Sequence, residues 1–489
     1  MKLAQSDTIA AIATSNTGEG GIGIVRLSGT DAVKTAEKIF LSKNNKELSG
    51  FKSHTVHYGW ITDGKNKIDE VLLTVMRAPK TYTCEDVVEI SGHGGPAVLR
   101  KILELCLKSG ARISAPGEFT KRAFLNGRID LAQAEAVCNL IRAKTDKSAV
   151  LAVAQINGSL SQKIKDFRSK LINLTANIEA SLDYSEEDIK IISKEEIVSV
   201  LEKSNSEMKY IINSSQKNKV YIEGIKAAIV GRPNVGKSSL FNAILEKERA
   251  IVAPLPGTTR DIITETFNLK DIPVTILDTA GIMMKYLDNN LQETKEIEKY
   301  IDKVSTQKAK DIISEADIVL FVIDISTELS KEDTDIARIV AQSGKKTILV
   351  LNKTDLLNAK TAETAVKKSA AELDKILHNH AVVQCSAHNS DKVTSLEEAI
   401  YAKILEELGS LKAPDTQESA YVVNLRQEQS LNKAVENISL ALISAGKNES
   451  GEFIVLHLRS ALDALGEIIG ETTTEDILDE IFSNFCVGK

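Results

Sequence analysis

A lysine and a hydroxyl set behind two glycines are the residues of this chain best suited to chemistry: Gly231 to Ser238 read G-R-P-N-V-G-K-S. Glycines at both ends let consecutive backbone N–H groups turn toward one point, which suits a polyphosphate. Within that cradle, formed by Asn234, Val235, Gly236 and Ser239, Lys237 would reach the outer phosphates and the Ser238 hydroxyl would take Mg²⁺. Such a loop needs a strand before it and a helix after it. The apolar run Ile225 to Val230 reads as the strand, and Ser239-Leu-Phe-Asn-Ala-Ile-Leu reads as the helix.

A mononucleotide fold returns to the phosphates at the ends of successive strands. Ala253, Pro254, Leu255, Pro256, Gly257, Thr258 and Thr259 read as a first switch loop, where Thr259 would complete the Mg²⁺ shell and sense the terminal phosphate. The run Val274 to Leu277 then ends in Asp278, Thr279, Ala280 and Gly281. Asp278 would hold Mg²⁺ through water, and the Gly281 N–H would bond the terminal phosphate. Two further apolar runs deliver Asn352-Lys353-Thr354-Asp355 and Ser386-Ala387.

The second of these motifs selects the base. The Asp355 carboxylate can accept from guanine's ring N1–H and its exocyclic amine together, whereas adenine would leave it unpaired. Asn352 would bond the opposite edge, the Lys353 stem would cover the base, and the Ala387 N–H would donate to the guanine oxygen. The chain therefore reads as a GTP-binding protein. The position where Ras-like GTPases carry a water-orienting glutamine is Ile282, which cannot do that work. Asn234 is a candidate to help hold a monovalent cation, with backbone carbonyls around Leu255 closing the cage; the other reading is a loop residue satisfying its own backbone.

Length and composition bound the rest. The 489 residues fit about three domains. A net charge of −7 leaves any RNA contact to a local basic patch. Five cysteines without a C-x-x-C pair, no zinc-like histidine cluster, no signal sequence and no apolar run of membrane-spanning length point to a soluble, reduced, cytoplasmic protein without a membrane. Residues 1–120 mix short β-type runs with helices and read as an α/β unit. Residues 121–222 read as helical, 223–408 as the P-loop domain, and 409–489 as helical again. The nucleotide domain is expected to interrupt a helical domain built from both flanks.

The flanks resemble one family. Thr8 to Thr14, Gly21 to Gly29, Ser91 to Pro96, Ala115 to Gly127, Asp130 to Ala136 and the terminal Phe485-Cys486-Val487-Gly488-Lys489 are similar to the MnmE (TrmE) family of tRNA-modification GTPases, within the TrmE-Era-EngA-like P-loop GTPases. The resemblance spans the chain. It implies a homodimer held by an N-terminal domain similar to tetrahydrofolate-binding folds, with the GTPase inserted in a helical domain. It also implies work with an FAD- and NADH-dependent partner, MnmG, on the wobble uridine of certain tRNAs. An aminomethyl or carboxymethylaminomethyl group is added at uridine C5, with carbon from 5-formyl- or 5,10-methylene-tetrahydrofolate. K⁺ would promote the association of G domains that activates hydrolysis.

Residue by residue, the resemblance assigns folate contacts to Arg26, Glu89, Arg128 and Lys489, with Arg128 standing where some relatives have lysine. It assigns K⁺ to Asn234 with Ala253, Leu255 and Thr258. Cys486 matches a near-terminal cysteine of the family, either a reactive thiol or a small hydrophobe. The stretch from Met283 to Val304 is longer than in relatives, and the acidic residue that orients water is Asp302 by counting back from Asp317 or Glu298 by local pattern, with Glu293 and Glu296 also in the stretch. An rRNA-binding ribosome-assembly GTPase is the competing class; it would carry an RNA-binding module such as a KH loop, or a second GTPase domain, and neither is apparent.

Overall fold

The computed structural model describes residues 7–14, 20–43, 47–183, 192–247, 263–278, 310–378, 380–407, 421–447 and 449–489. The chain divides into two compact units that do not follow chain order. One holds Met1–Ile141, Ala152–Ile212 and Asn424–Lys489; the other holds Arg142–Leu151 and Asn213–Val423.

The first unit opens with a seven-stranded sheet built from β1 (Ile9–Ile12), β2 (Gly20–Ser28), β3 (Phe40–Ser42), β4 (Thr55–Thr62), β5 (Lys67–Met76), β6 (Val87–Gly94) and β7 (Arg112–Ile113). Their order is β3-β4-β5-β6-β2-β1-β7, antiparallel except for β1 with β7. Alternation decides the faces. Val25, Leu27, Val71, Leu73, Val75, Val88 and Ile90 point into one core, which helix Pro96–Lys108 seals with Leu99, Ile102 and Leu105. The intervening residues occupy the opposite face, so Arg26 of β2 and Glu89 of β6, which are register partners, lie there side by side.

Long helices complete this unit: Leu131–Arg142 as far as Ile141, Ser159–Asp183, Lys194–Glu223 as far as Ile212, Leu425–Gly446 and Gly451–Ile469, followed by Glu475–Ser483. Helix Leu425–Gly446 starts on a capping box in which Asn424 and Gln427 satisfy each other's backbone N–H groups. The last turn of chain packs back on the N-terminal part. Phe482 and Phe485 are buried with Leu131, Ala134 and Leu478, and the Gly117 N–H donates to the Cys486 carbonyl at 3.3 Å. Gly488 is left-handed (φ +91°), and a Cβ there would run into the Ile12 carbonyl. Only glycine lets the tail lie this close to the end of β1.

A buried ionic network ties the N-terminal segments together. The Arg122 side chain, 3% exposed, donates to Asp7 at 2.8 Å and to Glu118 at 3.0 Å, and meets Glu85 at 3.1 Å. Arg112 adds contacts of 2.7 Å to both Asp7 and Glu118. Burial pushes the Glu118 carboxyl up, but Arg112, the Ala115 N–H and Arg122 together hold it below its ordinary value. Burial likewise opposes the two arginines at Asp7, whose carboxyl also ends lower. Carboxylates with depressed folded-state values stabilise the fold above their unfolded value, near pH 4, and lose that contribution as the pH falls through the folded value. Thermal melts should therefore show destabilisation of this unit setting in below about pH 4. Arg122→Met, which strips Glu85 of its arginine and leaves Glu118 and Asp7 with Arg112 alone, should cost about 3 kcal/mol at neutral pH and remove part of that acid dependence.

The second unit is an α/β layer structure around a six-stranded sheet: β8 (Ile225–Val230), β9 (Ile263–Leu269), β10 (Ile272–Asp278), β11 (Ile318–Asp324), β12 (Lys346–Asn352) and β13 (His380–Gln384). The order is β13-β12-β11-β8-β10-β9, with only β9 and β10 antiparallel. β8 and β11 are apolar almost without a break because parallel strands bury both faces. Ala227, Ile229, Leu320 and Val322 enter the core on one side, and Ala228, Val230, Val319 and Phe321 enter the one on the other. The first strand lies between β10 and β11, where the order reverses, so its carboxyl end opens on the crevice that binds ligands in such folds.

Candidate functional site

The loop Gly231–Gly236 leaves β8 and enters helix Lys237–Lys247. Gly236 (φ +96°) and Asn234 (φ +64°) both take left-handed backbone, and a Cβ on Gly236 would collide with the Asn352 amide. Asparagine tolerates this conformation better than most side chains, which accounts for its place in the loop. The Lys237 ammonium folds over the loop and donates to the Gly231 and Arg232 carbonyls at 2.8 Å each. It is thereby aimed across the mouth of the cradle, where phosphate oxygens can replace the carbonyls. Ser238 and Ser239 are exposed at the start of the helix, with the positive end of its dipole beside them. Arg232 is tied to Asp333 at 3.2 Å and to the Thr327 hydroxyl at 2.5 Å, so it serves as an anchor of the loop.

Behind the cradle, the base-reading loops are locked to it. The buried Asn352 amide donates to the Val235 carbonyl at 2.8 Å. Lys353, left-handed at φ +62°, donates to the Asn234 carbonyl at 2.8 Å and pairs with Asp324 at 2.7 Å. Its stem is thus stretched beside the P-loop. The Thr354 hydroxyl donates to the Cys385 carbonyl at 2.9 Å, and the Cys385 N–H donates to Leu351 at 2.8 Å. Burial pushes the Cys385 thiol up to about 11, which keeps it neutral filler between the two loops. Ser386 is buried and its hydroxyl bonds the Asp355 carboxylate, holding Asp355 below the usual carboxylate range. Asp355 itself is exposed and ionised, ready for two N–H donors on one edge of a base. Ala387 follows Ser386 on the same loop.

The structure thus brings Asn234 to Ser239, Asn352, Lys353, Asp355, Ser386 and Ala387 around one crevice. Asp278 ends β10, paired through the backbone with Ile229 one residue short of the end of β8. Ala253, Pro254, Leu255, Pro256, Gly257, Thr258, Thr259, Thr279, Ala280, Gly281, Ile282, Glu298 and Asp302 lie outside the described residues, as does the Asp278 side chain. Asp324 was not foreseen from the sequence. Its place at the end of the run Ile318–Ile323, level with Asn352, is the signal that could have found it.

A second constellation lies on the open face of the seven-stranded sheet. Arg26 and Glu89 pair at 2.7 Å, with side chains 18% and 23% exposed. The Arg26 guanidinium also reaches the Gly488 carbonyl at 3.4 Å and lies 5.8 Å from the Phe119 ring. Phe119 is buried with Ile9 and Ala11, and Tyr82 packs against them. Arg128 stacks over the Tyr82 ring at 4.8 Å and donates to the Tyr82 carbonyl at 3.1 Å. Arg26, Glu89, Arg128 and the tail that carries Lys489 are therefore linked through Phe119 and Tyr82, an aromatic pair the sequence reading did not single out. Cys486 is exposed beside Phe485. Among the described residues no helix is long and apolar enough to cross a membrane.

A P-loop at the switch point of a parallel sheet, with a carboxylate set for guanine and the ammonium of Lys237 over the cradle, defines the class: a guanine-nucleotide hydrolase. The comparisons with known proteins place it within that class. A profile described as MnmE helical domain matches residues 131–486, and one described as GTP-binding protein TrmE N-terminus matches residues 8–128. The chain is 43% identical over 485 residues to a tRNA modification GTPase MnmE of Thermoanaerobacter pseudethanolicus, covering 99% of each. It is 43% identical over 486 residues to the protein of the same description from Clostridioides difficile, again covering 99% of each. The chain belongs to the MnmE (TrmE) family of tRNA modification GTPases.

Proposed function

We propose that this GTPase works in the cytoplasm as a homodimer with an FAD- and NADH-dependent MnmG-type partner, adding an aminomethyl or carboxymethylaminomethyl group at C5 of the wobble uridine of certain tRNAs. The observation that carries this reading is the Arg26–Glu89 pair on one sheet face, reached by the chain terminus at Gly488 and connected through Phe119 and Tyr82 to Arg128. A folate offers a pterin edge that donates to a carboxylate, and glutamate carboxylates that accept from guanidinium and ammonium groups. Glu89 suits the first role, and Arg26, Arg128 and Lys489 suit the second. Gly488 supports the fit, because its close approach to Ile12 and the bond from Arg26 to its carbonyl bring the end of the chain beside the Arg26–Glu89 pair. When bound, the folate supplies the one-carbon unit; the protein's part is to hold and orient it. The exposure of Cys486 favours a reactive thiol over a core role.

In the nucleotide domain, Mg²⁺ would be held by Ser238, Thr259 and Asp278. K⁺ would be held by Asn234 with Ala253, Leu255 and Thr258, and would add positive charge beside the phosphates and favour association of two G domains. The exposed Asn234 side chain on a left-handed backbone fits a ligand that enters from outside the loop. Asp302 or Glu298 would orient the attacking water. The chain then divides into a folate domain (1–120), a helical domain in two parts (121–222 and 409–489) and the inserted GTPase (223–408).

Titration with 5-formyl-tetrahydrofolate tests the sheet-face site. Arg26→Ala and Glu89→Gln should each weaken binding about 30-fold or more, with GTP hydrolysis retained. Unchanged binding in both variants contradicts the folate reading. Replacing K⁺ by Na⁺ should slow hydrolysis by about tenfold or more, and equal rates contradict the role given to Asn234.

A further inference from the structure

The segment Arg142–Leu151 precedes the nucleotide domain by a long stretch of chain, yet it packs in the same compact unit as the nucleotide sheet. Three contacts seat it there. Lys144 donates from Nζ to the Thr266 hydroxyl at 2.9 Å. The Lys147 ammonium lies 3.9 Å over the Tyr221 ring. Leu151 is buried in the cluster that contains Ile272 and Val274 of β10.

The grip falls on a particular place. Thr266 of β9 and Thr275 of β10 are register partners whose hydroxyls lie 3.0 Å apart, so Lys144 holds a pair that bridges the hairpin. At its open end β9 follows the stretch with Thr259, and β10 ends on Asp278. The hairpin therefore joins the two stretches that the sequence assigns to Mg²⁺ and the terminal phosphate. Backbone pairing runs without a break from Ile263 and Asp278 to Leu269 and Ile272, so Thr266 and Thr275 belong to the same ladder as both phosphate-side ends. On the other side, Lys144 stands two residues before the helix Asp146–Ile156.

Stability alone does not account for this lysine. Burial pushes its ammonium below the usual lysine range, and among the described residues no carboxylate lies within ion-pair distance. An ammonium that gives up hydration for one neutral hydroxyl is a poor stabiliser beside a methionine of similar length. A hydrogen bond is directional, so this one favours the arrangement of hairpin and helix start that sets Lys144 2.9 Å from the Thr266 hydroxyl.

We propose that Lys144 is a positioning residue through which the β9–β10 hairpin sets the helix Asp146–Ile156 according to the bound nucleotide, coupling GTP turnover to tRNA modification. The test is amide hydrogen exchange across 146–156 in the full-length protein, with GDP and with a non-hydrolysable GTP analogue, in wild type, Lys144→Met and Thr266→Val. Wild type should show a nucleotide-dependent difference in this helix, and both variants should lose it. At saturating GTP the variants should modify tRNA about tenfold or more slowly, while single-turnover hydrolysis and nucleotide affinity stay within about threefold. Thr266→Ser keeps the hydroxyl and should behave as wild type, which separates loss of the contact from loss of folding. No nucleotide-dependent difference in wild type, or a difference that persists in Lys144→Met and Thr266→Val, overturns the proposal.

Discussion

Lys237→Ala should hydrolyse GTP about 1,000-fold more slowly than wild type, a loss of about 4 kcal/mol of transition-state stabilisation. Lys237 as a residue is 7% exposed and its ammonium is held by two loop carbonyls at 2.8 Å, so its direction is set before the nucleotide arrives. Charge that develops on the leaving phosphate meets a cation that need not reorganise, which is where preorganised electrostatics contribute most. Lys237→Arg should recover little of this, because a forked guanidinium does not fit a slot shaped for one point charge. The loop should survive both changes, since Arg232 anchors it to Asp333 and Asn352 holds it through Val235. Single-turnover hydrolysis with the thermal melt as control checks the expectation. A folded Lys237→Ala protein within tenfold of wild type would show that the cradle is not the phosphate site.

The second large effect concerns the base. Asp355→Asn should weaken GTP binding by about 1,000-fold, because the amide offers one acceptor and turns an N–H toward a guanine N–H. Xanthine carries a carbonyl in place of guanine's exocyclic amine, and the new amide can donate to it. Xanthosine triphosphate should therefore bind the variant better than GTP does, and be hydrolysed. Most of the frame around Asp355 does not use its charge: Thr354 and Ser386 are buried, Thr354 bonds across to Cys385, and an asparagine oxygen can still accept from the Ser386 hydroxyl. Competition binding with the two nucleotides gives the answer. GTP affinity within tenfold of wild type, together with no gain for the xanthine nucleotide, would remove Asp355 from the guanine contact.

Much of the nucleotide domain was legible because its signals are local. Gly231, Lys237 and Ser238 sit within one turn of chain, and Asn352, Lys353 and Asp355 within another, each after a strand whose burial on both faces leaves a nearly continuous apolar run. The sheet-face site was legible only through the family resemblance. Arg26 and Glu89 are 63 residues apart, and only the β2–β6 register sets them on one face. The network around Arg122 draws on Asp7, Glu85 and Arg112 from separate segments, and a charge pattern read along the helix Glu118–Leu125 reports only Glu118, four residues before Arg122. The same holds for Arg142–Leu151. Its composition is that of the helices around it, and its periodicity says which side is apolar without saying what covers it. The partner of Lys144 stands 122 residues away.

The proposed function joins GTP hydrolysis at this P-loop to wobble-uridine modification. Mass analysis of tRNA nucleosides from cells lacking the gene, and from the same cells supplied with wild type or Lys237→Ala, measures it directly. Loss of the C5 substituent in the deletion, its return with wild type and its continued absence with Lys237→Ala is the predicted result. Full modification of wobble uridines in the deletion, or restoration by Lys237→Ala as complete as by wild type, would contradict it.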